Sequence, residues 1–197
     1  MCFFKLIKFI APAVLSAVLS IVLFGGVRAE PAPPRLVADI IFRCLWWSEA
    51  QMEQFDPNAP PPKMTEVTIQ KWEYTDPVGV PHPDVVDVVI ELKNEGTSAA
   101  SGIVTEIAGQ WRIGPLKSEK NAIWSSFKSL KTWQAANIAP GNSATFRVPI
   151  DIATSISELE KKGSWPWMFR VLLTVRAFGF DKPLLIRKAN LPIRPGD

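Results

Sequence analysis

Three stretches of this chain alternate apolar and polar side chains with a period of two. Val86, Val88, Ile90 and Leu92 alternate with Asp87, Val89, Glu91 and Lys93. Ala144, Phe146, Val148, Ile150 and Ile152 alternate with Thr145, Arg147, Pro149 and Asp151. Phe169, Val171, Leu173, Val175 and Ala177 alternate with Arg170, Leu172, Thr174 and Arg176. Successive side chains of a strand point to opposite faces, so each stretch predicts an antiparallel strand with one face on a core. Pro149 cannot donate to a ladder and puts its strand at an edge or a bulge. Weaker strand candidates are Glu66 to Tyr74, Gly102 to Ile113, Trp124 to Trp133 and Leu184 to Ile193.

Turn chemistry separates these runs: Asp76-Pro77, Pro81 to Asp84, Asn94-Glu95-Gly96, Gly114-Pro115, Pro140-Gly141-Asn142 and Asp181 to Pro183. Proline supplies 18 of 197 residues, which favours short elements and firm turns over long helices. Hydrophobic residues at 47% against 21% charged give a chain with a core rather than a disordered one. About seven short strands at this spacing predict a mainly β fold, an antiparallel β-sandwich over residues 64–197. One helical interruption, Ser155 to Lys162, starts with the capping-box pattern Ser155-Ile156-Ser157-Glu158 and ends at Gly163. It reads as a crossover between the two sheets.

The N-terminus supplies an address. Lys5 and Lys8 precede an uncharged run from Phe9 to Phe24, and Val27-Arg28-Ala29 follows. Residues 1–29 read either as a signal peptide cut after Ala29 or as an uncleaved anchor over residues 9–27. With basic residues before the run, both readings export the rest of the chain, to the periplasm or the cell exterior. No cysteine closes the run, so a lipoprotein is not expected. Lys5, Lys8 and Arg28 carry the excess of positive charge: without them, 19 basic residues balance 19 acidic ones. A nucleic-acid partner needs a basic footprint that this balance does not supply. Cys44 is the one cysteine outside the leader and is expected to be a buried thiol.

Between leader and sandwich, Pro31 to Pro34 reads as a stiff linker. Arg35 to Phe55 carries no proline or glycine. On a helical wheel Val37, Ile40, Ile41, Cys44, Leu45, Trp47, Met52 and Phe55 share an arc opposite Asp39, Arg43, Glu49 and Glu53. The sequence therefore predicts an amphipathic helix over residues 35–55, in a segment spanning 30–63. Phe42 and Trp46 fall on its polar side and suggest a second contact surface.

The run Leu92 to Ala100, with its Asn94-Glu95-Gly96 turn, is followed by Ile138-Ala139-Pro140-Gly141-Asn142-Ser143-Ala144-Thr145-Phe146. This pairing of an Asn-x-Gly turn with a later Pro-Gly-x-Ser turn resembles bacterial exported immunoglobulin-like modules of the CARDB and fibronectin-III type. The resemblance covers roughly residues 65–193. It implies an immunoglobulin-like sandwich used for adhesion, spacing or assembly rather than catalysis. The acidic, Asn-rich ending common in CARDB modules is replaced here by Ile186 to Ile193, which counts against a calcium role.

Little in the sequence suits chemistry. His82 sits between Pro81 and Pro83 and reads as part of a rigid exposed loop. No nucleophile elbow, HExxH, phosphate loop or EF-hand spacing occurs, so no catalytic, cofactor or metal site is expected. The tryptophans are more informative. Trp72, Trp111, Trp124, Trp133, Trp165 and Trp167 exceed what one small core absorbs. Rigid aromatics give contact area at low entropic cost, so Phe42, Trp46, Trp47, Trp124, Trp165 and Trp167 are the candidate partner-binding residues. The expected role is an exported accessory or assembly subunit that binds a membrane or membrane-protein complex. The alternative is a carbohydrate-binding or adhesion module with a polysaccharide partner.

Overall fold

The computed structural model describes residues 34–195, apart from 55, 57 and 75–82. Among the described residues ten strands occur: β1 Leu36–Trp46, β2 Thr65–Ile69, β3 Trp72–Glu73, β4 Val85–Asn94, β5 Ala100–Gly114, β6 Ile123–Trp124, β7 Lys128–Ile138, β8 Ser143–Asp151, β9 Trp165–Arg176 and β10 Leu185–Arg194. Helix α1 is Glu49–Glu53 and α2 is Ile152–Glu160. One sheet runs β2-β1-β4-β8. The other runs β3-β10-β9-β5-β6, with β7 also paired to β5. All pairings are antiparallel except the short β3–β10 contact. The two sheets enclose a single core that includes Val88, Ile90, Leu92, Ile103, Ile107, Phe169, Val171, Leu173 and Leu191. The fold is the mainly β, two-sheet sandwich that the alternation predicts.

The amphipathic helix over residues 35–55 is not there. Residues 36–46 form β1, held between β2 and β4. Leu36, Ala38, Phe42, Cys44 and Trp46 are buried, while Asp39 and Leu45 are exposed. The period is two, and Phe42 and Trp46, the misfits of the helical wheel, belong to the inward row. Branched and aromatic side chains dominate Leu36-Val37-Ala38-Asp39-Ile40-Ile41-Phe42, and they fit a pleated surface better than a helix. Only α1 remains of the helix, capped by Ser48 and Gln51 in a reciprocal capping box. β1 therefore belongs to the sandwich, and no linker segment ends at residue 63. The leader, His82 and the turn at Asp76-Pro77 lie outside the described residues.

The crossover helix exists but starts earlier than its capping-box pattern suggests. Asp151 is its N-cap and accepts from the Thr154 N–H at 2.8 Å. As predicted, α2 carries the chain from one sheet (β8) to the other (β9). β8 is an edge strand, which accommodates Pro149.

The two turn motifs meet at one residue. Asn94 is fully buried, and its amide donates to the Ser98 carbonyl (2.8 Å) and the Ile138 carbonyl (2.9 Å). Its side-chain oxygen accepts from the Gly96 N–H at 3.0 Å. Its backbone pairs with the second motif, donating to the Asn142 carbonyl and accepting from the Gly141 N–H. Ile138 ends β7 in one sheet while Asn94 ends β4 in the other, so one amide joins both sheets. Gly96 is needed beside it, since a Cβ there would stand 2.5 Å from the backbone nitrogen of Arg35.

Candidate interaction surface

The six residues singled out by the sequence separate into two groups. Phe42, Trp46, Trp47 and Trp165 are buried. Trp46 and Trp47 stack with ring centroids 5.5 Å apart, and the Trp47 indole N–H donates to the Pro62 carbonyl at 2.9 Å. Trp165 opens β9 and lies in the core. These four present no open surface: β1 and β9 turn Phe42, Trp46 and Trp165 inward, and Trp47, just past β1, is covered by its stack on Trp46 and its bond to Pro62. Trp124 and Trp167 are only partly buried.

Trp124 lies on the outer face of the six-stranded sheet, paired with Arg112 across the β5–β6 ladder. The Arg170 guanidinium sits over its ring, 3.7 Å from the centroid. Arg170 is aimed there by Asn190, whose side-chain oxygen accepts from Arg170 Nε at 2.9 Å. A guanidinium over an indole is favourable through the ring quadrupole and also fixes both groups. Gln110, one residue pair along, donates to the Ser125 carbonyl at 2.7 Å and ties β6 down.

Beside Trp124 an open groove of about 420 Å³ is lined by Ile113, Pro115, Asn121, Ile123, Gly163 and Ser164 among others. Its floor depends on Gly114, where a Cβ would meet Ala122 at 2.7 Å, so only glycine lets the Glu119–Asn121 turn fold back on β5. Ile123 is 74% exposed at the rim, and Leu116 and Phe127 are exposed nearby. Trp167 shares this end: its indole N–H donates to the Pro115 carbonyl at 3.1 Å. Glu119 is matched by Arg112 at 2.7 Å. Among the described residues Lys117, Lys120, Lys161 and Lys162, all exposed, form no ion pair. The result is an open, mainly apolar groove, with Lys120 and Lys162 next in sequence to its lining residues Asn121 and Gly163. Ile123 and Leu116 carry no periodic signal in the sequence. Only the flanking turn marks, Gly114-Pro115 and Gly163, point to the place.

Other features bear on chemistry. Cys44 is buried and free, and burial, with Asp87 nearby, pushes its thiol pKa up to about 11. No group of three or more metal-ligating side chains gathers among the described residues. On the outer face of the four-stranded sheet Glu66 bridges Arg43 and Arg147, and Arg147 also meets Asp87 at 3.0 Å. Hydrogen bonds from Arg147 and Arg43 hold the Glu66 carboxyl below its usual range. No helix among the described residues is long and apolar enough to cross a membrane.

No protein-family model matches the chain, and no curated protein matches it. Solved structures do. The chain is similar to the CARDB domain of a Pyrococcus furiosus protein, solved in complex with di-metal ions. The identity is 9%, over 83% of this chain and 96% of that one, with a TM-score of 0.37. It is also similar to Spo0M, a sporulation control protein from Bacillus subtilis (10% identity, 83% and 50% covered, TM-score 0.35). A third match is a β-glucosidase from Listeria innocua (10% identity, 82% and 16% covered, TM-score 0.37).

Proposed function

We propose that this protein is a non-catalytic, exported accessory module that holds a partner subunit of a membrane-associated complex in the groove beside Trp124. Residues 1–29 deliver it, either as a cleaved leader or as an anchor. The observation that carries this reading is the exposed Ile123 next to a rigidly held Trp124 at an open, mainly apolar groove. Apolar side chains kept in water beside fixed aromatics are the usual anchors of interfaces. The contact no longer includes a helix over residues 35–55, because those residues build β1 and α1.

The test is co-purification from the protein's own membranes in mild detergent, comparing the wild type with the pair Leu116→Asp and Ile123→Asp. The wild type is expected to bring one partner with it, and the variant to lose that partner while melting at the same temperature. Retention of the partner by the variant would move the interface elsewhere. The carbohydrate-binding alternative draws on the same Trp124. Arg170 already occupies one face of that ring, which leaves less of it for a sugar. Silence of the protein on a glycan array would remove this alternative.

A further inference from the structure

The end of the sandwich opposite the groove carries a second surface. β9 and β10 are joined by a turn in which Phe178 is 87% exposed and Phe180 42%. The turn is not loose. The Phe178 N–H donates to the Ser101 carbonyl, the Phe180 N–H to the Ala177 carbonyl, and the Leu184 N–H to the Val175 carbonyl. Two phenyl rings are thus displayed in water on a backbone fixed to β5. Ile186, also exposed, stands close behind them on β10. Arg176 and Lys182 are exposed at this tip, with Asp181, and Arg187 and Lys188 are exposed farther along β10, opposite Leu173 and Leu172. Glu106 lies 4.0 Å from Arg176.

The chain enters the sandwich at this same end. Ser101 follows Ala100, which pairs with Ile138, whose carbonyl receives the Asn94 amide. Asn94 pairs with Leu36, and the Glu95 N–H donates to the Arg35 carbonyl. Six residues, 28–33, lie between Val27, the last residue of that anchor span, and Pro34. At full extension they span no more than about 25 Å. An anchor over residues 9–27 would therefore keep the chain entry at Pro34 within about 25 Å of its own end.

We propose that the Phe178–Phe180 tip docks on the lipid bilayer itself, with the two rings at the headgroup–acyl boundary and the surrounding basic side chains over anionic headgroups. Exposed aromatics flanked by cations are the composition that binds such an interface. The proposal rests on the reading of residues 9–27 as a retained anchor.

The full chain, made by cell-free synthesis into nanodiscs of phosphatidylcholine and phosphatidylglycerol, tests it. With Cys2→Ser, a Lys182→Cys variant offers one accessible thiol, since Cys44 is buried. An environment-sensitive dye on that thiol is expected to be quenched by doxyl-labelled lipid. A dye on Lys117→Cys, at the groove end, is expected to be unaffected. Adding Phe178→Asp and Phe180→Asp should abolish the quenching at 182. Absence of quenching at 182 with residues 1–29 retained overturns the proposal alone, as does quenching that survives the two Asp substitutions. An intact mass of the native protein beginning at Glu30 instead overturns the anchor reading on which the proposal rests.

Discussion

Asn94 does three jobs with one side chain: it donates to two carbonyls and accepts from one N–H, all out of water. Asn94→Asp keeps the shape and removes both donors, leaving the Ser98 and Ile138 carbonyls facing a carboxyl group. A loss of about 3 kcal/mol or more is expected, read as a lower denaturation midpoint with an unchanged slope. Thr105 is the opposite case. It is fully buried within β5, and its hydroxyl has no hydrogen-bond partner among the described residues. Thr105→Val keeps the shape, removes a buried polar atom and should stabilise the protein by about 1 kcal/mol in the same measurement. Glu66 ties stability to pH. Its folded pKa is depressed below the ordinary 4.5, so its contribution is present above that pH and fades as pH falls through the folded value. The stability difference between wild type and Glu66→Gln should therefore be visible at neutral pH and shrink in acid. A difference constant from pH 7 to pH 3 would show that the bridge to Arg43 and Arg147 contributes nothing. The Asn94 and Pro140-Gly141 turns are both visible in the sequence; that they lock each other is not, because nothing local links residues 94 and 138.

At the level of elements, strands with a strict alternation are legible because their outer faces meet water. β4, β8 and β9 fall within a few residues of their expected bounds for that reason. β1 is harder. Its outer row includes Val37 and Ile41 as well as Asp39 and Arg43, so apolar residues lie on both faces and a helical arc can be drawn through them. Two large aromatics on the polar side of that arc are the sign that the period is wrong. Its central place in the sheet has a direct consequence. A chain starting at Pro34 should fold, whereas one starting at Trp47 would leave β2 and β4 without the strand between them. The shorter chain should lack the near-ultraviolet circular dichroism of packed tryptophans. Native-like packing in it would mean that β1 is dispensable. The placement of the aromatics is half legible. Trp124 and Trp167 could be named from composition, but which aromatics stay outside depends on strand phase. The β5–β9 register shift at Arg112/Ile113 alters that phase beside Trp165 and Trp167, and no sequence pattern announces it.

The sandwich, residues 34–195, is organised along one axis. At one end lie the chain entry at Pro34-Arg35, the Asn94 junction and the Phe178–Phe180 tip. At the other lie α2, the groove beside Trp124 and the end of β10 at Arg194. β1 and β10 both run from the first end to the second, in sheets that face each other. This geometry governs what happens under mechanical load. If the first end is held and the second is pulled, β1 is dragged along its own length against β2 and β4. The hydrogen bonds of both ladders then carry the force together and must fail together, instead of opening one after another like a zipper. A domain threaded this way resists extension between the two ends of its chain.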